Sequence, residues 1–160
     1  MSEFRPQERN FSVAGVRFAV VAARWNGQIT DGLLAGVERV AKRQAMDAGA
    51  LHIFRVPGAF ELPLAAQQAA RSGRFDAVIA LGCVVRGDTP HFDYICAETT
   101  RGLGQVGLQE ALPVTFGLLT TDNLEQALQR SGTTAENKGE EATLTALEML
   151  LTLKNIADNT

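Results

Sequence analysis

Four short apolar runs, separated by segments of helical period, constrain this chain more than any other feature of its sequence. The runs are Arg17–Ala23 (RFAVVAA), Leu51–Val56 (LHIFRV), Ala77–Val85 (AVIALGCVV) and Pro113–Thr120 (PVTFGLLT). Continuous apolarity, as in RFAVVAA and in AVIALGCVV, the most apolar segment, marks strands covered on both faces, and four buried strands are expected. Between them lie amphipathic stretches. In Ile29–Met46, Ile29, Leu33, Leu34, Val37, Val40 and Ala41 recur at helical spacing, with Gly49 as the expected stop. Glu61–Arg71 follows, with Pro63 near its start, where a missing N–H costs little. Phe92–Ala111 is a third helix, whose Gly102, Gly104 and Gly107 permit close packing. Asn123–Arg130 is a short helix with Thr121 or Asp122 as its cap. After a polar turn at Ser131–Glu136, Asn137–Asn155 closes the chain.

Strand–helix alternation implies a parallel sheet with helices on both faces. The expected fold class is therefore α/β: a flavodoxin-like three-layer α/β/α sandwich on a four-stranded parallel sheet. Residues 1–16 read as an arm, polar at first and then apolar at Phe11 and Val13. Such an arm could add a strand to a neighbouring subunit. Residues 17–160 form a single domain in this reading. The 160 residues are 46% hydrophobic and 21% charged, values of one globular domain. A net charge of −3 argues against nucleic-acid binding through a broad basic surface. No apolar run approaches the roughly 18 residues that span a bilayer, so no membrane association is expected. The amino terminus lacks the pattern of a secretory signal. Two cysteines, Cys83 and Cys96, are too few for a disulfide framework, and the expected compartment is the cytoplasm.

In such sheets ligands sit outside the carboxyl ends of the strands. That directs attention to the loops after Ala23, Val56, Val85 and Thr120. The first carries Trp25, the single tryptophan, either an anchor or a stacking surface for a flat heterocycle. The second, Pro57-Gly58, turns into Ala59, Phe60 and Glu61; Glu61 is either a first-turn carboxylate favoured by the helix dipole or a group fixing a polar substrate edge. The third follows Cys83, Val84 and Val85 and offers Gly87, Asp88 and Thr89 to a phosphate. His91 closes that loop, where an imidazole can move protons, whereas His52, inside a strand, reads as structural. Cys83 reads as a wall rather than a nucleophile. Arg130 and Lys138 flank the fourth loop's helix and turn, with Phe116 in the preceding strand. Arg130 is either a dipole-favoured last-turn residue or an anion anchor. No spacing of ligand residues supports a metal site.

Four segments are more than generic: VPGAFELP (56–63), ALGCVVRGDTPHFDYI (80–95), PVTFGLLTTDNLEQALQR (113–130) and NKGEEA (137–142). In length, order and spacing they resemble the 6,7-dimethyl-8-ribityllumazine synthase family, from about Arg17 to Lys154. The resemblance implies condensation of 5-amino-6-(D-ribitylamino)uracil with 3,4-dihydroxy-2-butanone 4-phosphate, the penultimate step of riboflavin biosynthesis, with no cofactor. It implies Trp25 stacked on the pyrimidine, Ala59, Phe60 and Glu61 on the ribitylaminouracil, and Cys83, Val84, Val85 and Phe116 around its ring. It places Asp88, Thr89, Arg130 and Lys138 at the butanone phosphate and gives His91 the proton transfers. It further implies pentamers with active sites between subunits, an icosahedral shell of twelve pentamers, and riboflavin synthase as a candidate partner.

Trp25 stands where the family more often has Phe, Cys83 where Thr or Val is common, and Glu136 where Gly is frequent. Three readings compete with this one: a non-catalytic flavin or lumazine binder built on Trp25, a shell-forming protein whose assembly is its function, and another flavodoxin-like nucleotide enzyme, since fold alone does not give function.

Overall fold

The computed structural model describes residues 6, 8–133 and 136–160. The element order is β1 (Phe18–Ala23), α1 (Gly27–Arg43), β2 (Leu51–Val56), a 3-10 turn (Ala59–Glu61), α2 (Leu62–Arg71), β3 (Ala77–Val85), α3 (His91–Glu110), β4 (Val114–Thr121), α4 (Leu124–Ser131) and α5 (Lys138–Asp158). The four strands form one sheet in the order β2-β1-β3-β4, every neighbouring pair parallel. Helices α1, α4 and α5 cover one face through Leu33, Val37, Ala127, Ala142 and Leu147. Helices α2 and α3 cover the other through Leu62, Ala66, Leu103 and Val106. The result is the three-layer α/β/α sandwich that the alternation implies.

β1 is buried along its whole length and β3 over its first seven residues, as their continuous apolarity requires. β2 and β4 are different. Each is an edge strand with no neighbour on its outer side among the described residues, and full burial is not reached: β2 is buried only at Val56, while β4 is buried at five of its eight residues. Ile53 and Phe54 on β2 and Phe116 on β4 are exposed. His52 sits on β2 as a structural residue, edge-on to Phe75 at 5.2 Å with its Nε2 3.1 Å from the Arg17 guanidinium.

Helix limits shift for local reasons. α1 ends three residues before Met46 because Ala45 adopts a left-handed conformation (φ 53°). There the Ala45 and Met46 N–H groups close onto the carbonyls of Lys42 and Ala41, and half-buried Met46 folds back on the core. Gly49 (φ 81°) serves the following turn instead of the cap. The cap of α4 is Asn123, not Thr121 or Asp122: its Oδ1 accepts the Gln126 N–H at 2.9 Å. Of the three glycines in α3, only Gly102 meets α2 closely, since a Cβ there would stand 2.8 Å from Pro63.

The described part of the arm lies against its own chain. Val13 is buried in the α1/α5 layer, with Phe11 and Val16 packed beside it. The Phe11 N–H donates to Gln44 Oε1, and Glu8 pairs with Arg43 at 2.9 Å, which lowers the Glu8 pKa. Residues 6 and 8–16 contain no strand. Residues 1–5 and 7 of the expected arm, and residues 134–135 of the expected turn, lie outside the described residues.

Asn137 joins the α1, α4 and α5 layer. It is completely buried, and every hydrogen-bonding capacity of its amide is used. Nδ2 donates to the carbonyls of Gly32 and Gly132 at 3.0 and 2.8 Å. Oδ1 accepts the N–H groups of Gly139 and Glu140 at the start of α5. Glycines make the approach possible: a Cβ at Gly36 would collide with the Asn137 amide, and one at Gly139 with the Leu33 carbonyl.

Two stability outcomes follow. Asn137→Ala leaves buried carbonyls and N–H groups unpaired, and at about 1–3 kcal/mol for each such group urea unfolding should show a large loss; a change within about 0.5 kcal/mol would disprove the linking role. Gly102→Ala should also destabilise, by about 1–3 kcal/mol from overpacking against Pro63, measured in the same way.

Candidate functional site

The carboxyl ends of β1, β2 and β3 open into a cleft of about 390 Å³ lined by Trp25, Asn26, Ala59, Phe60, Glu61, Cys83, Val84, Val85, His91 and Ile95. Eight of the thirteen residues singled out from the sequence meet here: Trp25, Ala59, Phe60, Glu61, Cys83, Val84, Val85 and His91. Three loops bring them together because parallel strands all point their carboxyl ends the same way.

The wall built by the first two loops is held by backbone contacts. Arg24 and Trp25 donate their N–H groups to the carbonyls of Val56 and Pro57 at 2.8 and 3.2 Å. The indole of Trp25 is 69% exposed, with its Cε3–Cζ3 edge over Gly58. A Cβ at Gly58 would lie 2.9 Å from Trp25 Cε3, so a side chain there would push the ring away. Glu61 folds back so that Oε2 accepts the Gly58 N–H at 2.9 Å, which fixes the turn while its carboxylate borders the cleft.

Asn26 and Ile95 also line this cleft, and sequence reasoning passed over both. Asn26 takes the left-handed conformation (φ 56°) that Asn tolerates better than most residues. Its Nδ2 donates to the Cys83 carbonyl at 2.8 Å and ties the first loop to β3. The Asn26-Gly27 pair was the available signal, since such dipeptides mark turns with positive φ. Ile95 follows His91 by one helical turn, a spacing that puts both on one face of α3.

Cys83 is buried, and burial pushes its thiol up to about 11, with neighbouring Cys96 raising it further and the Thr121 side chain opposing the rise. At neutral pH it is therefore a protonated thiol, an apolar wall rather than a nucleophile. Both cysteines are free. His91 opens α3 and is exposed toward the cleft.

The other predicted residues lie elsewhere. Phe116, Arg130 and Lys138 line a second, more polar cleft of about 550 Å³ beside β4, with Thr121, Gln126, Glu136 and Glu141. Arg130 is half-buried, its Nη1 donating to the Gln126 carbonyl at 2.9 Å. Lys138 pairs with Glu141 at 2.7 Å. β3 and β4 are adjacent, yet the two clefts share no lining residue, and Phe116, Arg130 and Lys138 line the one beside β4 rather than the one that holds His91. Asp88 and Thr89 sit on the exposed loop before α3 and line neither cleft. Among the described residues no group of three or more His, Cys, Asp or Glu side chains could hold a metal ion, and no helix is long and apolar enough to cross a membrane.

Comparison with known proteins gives the family. A family model described as 6,7-dimethyl-8-ribityllumazine synthase matches residues 15–154. A 6,7-dimethyl-8-ribityllumazine synthase of Chlorobium phaeobacteroides is 51% identical over 143 residues, 89% of this chain and 92% of its own length. Another from Chlorobium chlorochromatii is 49% identical over the same coverage. A GDP-L-fucose synthetase structure from Naegleria fowleri, 14% identical, aligns with 99% of this chain and 51% of its own at a TM-score of 0.40. Motif, fold and relatives coincide over nearly the whole chain, which belongs to the 6,7-dimethyl-8-ribityllumazine synthase family.

Proposed function

We propose that this chain is a transferase of riboflavin biosynthesis that condenses 5-amino-6-(D-ribitylamino)uracil with 3,4-dihydroxy-2-butanone 4-phosphate to 6,7-dimethyl-8-ribityllumazine, phosphate and water. Its family membership carries this reading. In the chemistry we assign, the uracil amine attacks the butanone carbonyl and the carbinolamine loses water to an imine. Phosphate then leaves by β-elimination. The enol becomes a ketone, and the ribityl-bearing nitrogen closes the ring with loss of a second water. Each step moves protons between reactive partners, so the protein's main task is orientation.

In this reading the mostly apolar cleft receives the flat pyrimidine ring. Trp25 supplies a stacking face, Ala59, Phe60 and Glu61 border the ribitylaminouracil, and Cys83, Val84 and Val85 wall its ring. His91 moves protons. Phe116, Arg130 and Lys138 belong to the neighbouring subunit's share of the site, where Arg130 with Lys138 binds the phosphate alongside Asp88 and Thr89. The separation of the two clefts within one chain supports an active site completed by a second copy. So does the apolar groove between α3 and β4, where Leu108 and Phe116 are exposed. We therefore propose pentamers, assembled twelve at a time into an icosahedral shell, in the cytoplasm, with riboflavin synthase as a candidate partner. The alternatives of a non-catalytic flavin binder or a purely structural shell are not favoured: relatives 49–51% identical carry the enzyme's name, and neither alternative requires His91, Arg130 and Lys138.

Mixing both substrates with the protein and following lumazine fluorescence tests the reading directly; no acceleration over the spontaneous reaction would refute it. His91→Ala should slow turnover about ten- to a hundredfold, at or below the usual contribution of a general acid–base group, without abolishing it. Arg130→Ala should raise the KM for the butanone phosphate about tenfold or more, as loss of a charge-assisted contact requires, and an unchanged KM would remove the phosphate role. Because the Cys83 thiol ionises only as pH rises through about 11, Cys83→Ala should leave the pH dependence of kcat unaltered between pH 6 and 9, roughly the window in which His and activated nucleophiles titrate. A new limb in that window would give the thiol a part in proton transfer.

A further inference from the structure

Arg86, the first residue after β3, takes part in neither cleft yet reaches both sides of the strand ends. Its Nε donates to Asp122 Oδ1 at 3.1 Å, just past the end of β4. Its Nη1 donates to Asp93 Oδ1 at 3.1 Å, in the first turn of α3. The guanidinium carbon lies 4.2 Å from the centroid of the Phe92 ring, which is itself buried. The Arg86 backbone N–H donates to the Thr121 carbonyl at 2.9 Å, so the side chain starts from a fixed point on the β3–β4 pairing. Asp122 is fixed in turn, its N–H donating to Gln126 Oε1 at 3.0 Å. Phe92 and Asp93 are the two residues immediately after His91.

We propose that Arg86 is a positioning residue for the reaction assigned above: by gripping Phe92 and Asp93 on one side and Asp122 on the other, it fixes the first turn of α3, and hence the His91 imidazole, relative to the ends of β3 and β4. The Arg86 side chain is 44% exposed, and exposed ion pairs contribute little to stability. Its effect is on direction. The planar fork addresses two carboxylates at once while its face covers an aromatic ring, which the compact ammonium of a lysine cannot reproduce. An imidazole at the very start of a helix has no preceding turn to hold it, and a displacement of about 1 Å at a catalytic group can cost about a hundredfold in rate.

The inference rests on the proposed activity, so its test separates the two. Wild-type turnover of both substrates decides the activity. The variants decide Arg86. Arg86→Met should lower kcat about tenfold while the KM for the uracil changes less than about twofold, and Arg86→Lys should recover only part of the loss. In a His91→Ala background Arg86→Met should cost no more than about twofold further, because its effect passes through the imidazole. A readout independent of turnover uses the two histidines of the chain. With 13C-labelled histidine, Arg86→Met should shift or broaden the His91 ring resonance and leave His52, on the far edge of the sheet, in place. A wild-type kcat in Arg86→Met, an undiminished loss in the His91→Ala background, or an unmoved His91 resonance would each overturn the proposal. If Arg86→Met fails to fold, Asp122→Asn, which keeps an acceptor and removes one ion pair, takes its place with the same expected and overturning outcomes.

Discussion

A buried primary amide tolerates no unpaired atom, and the architecture on one side of this sheet is arranged around that demand. Asn137 satisfies the carbonyls of Gly32 in α1 and Gly132 after α4, and caps α5 with its oxygen. The helices must therefore approach closely, which explains why glycines occupy positions 36 and 139. Arg39 and Arg43 of α1 reinforce the junction from outside by pairing with Glu140. Arg130 precedes this joint in the chain and Lys138 follows it, and both line the β4 cleft.

The opposite end of the chemistry depends on parallel strands whose loops gather above the sheet. There the solution is backbone economy rather than buried polarity. Gly58 lets the indole settle, Glu61 clasps the turn, and Asn26 fastens the first loop to the end of β3. Cys83 contributes bulk without charge, since its burial keeps the thiol protonated.

Much of this was legible in the residues. Continuous apolarity marked β1 and β3, the Pro57-Gly58 turn closed β2, and helical spacing marked the helices between the strands. What periodicity cannot carry is lateral order. Nothing local in LHIFRV or PVTFGLLT says that each forms an edge, so the exposure of Phe54 and Phe116 had to come from the strand pairing. The stop of α1 was misplaced because Ala45, which rarely adopts positive φ, does so here where Gly49 was the natural candidate. The motif segments exposed the site residues by resemblance. Their distribution over two clefts was not readable, because it depends on the lateral order of the strands, which puts β4, α4 and the start of α5 around one cleft and the β1, β2 and β3 ends around the other. Asn26 and Arg86 escaped for a related reason: their importance lies in partners 57 residues away in one case and 36 in the other.

The placement of Trp25 has a spectroscopic consequence. It is the sole indole in the sequence, and it stands exposed at the mouth of the apolar cleft with one edge seated on a glycine. Its ultraviolet emission therefore arises from a single address, and a planar guest laid on its open face would quench or recolour that emission with no contribution from any other chromophore of its kind. The chain thus carries its own optical gauge of occupancy, one that needs neither dye nor label.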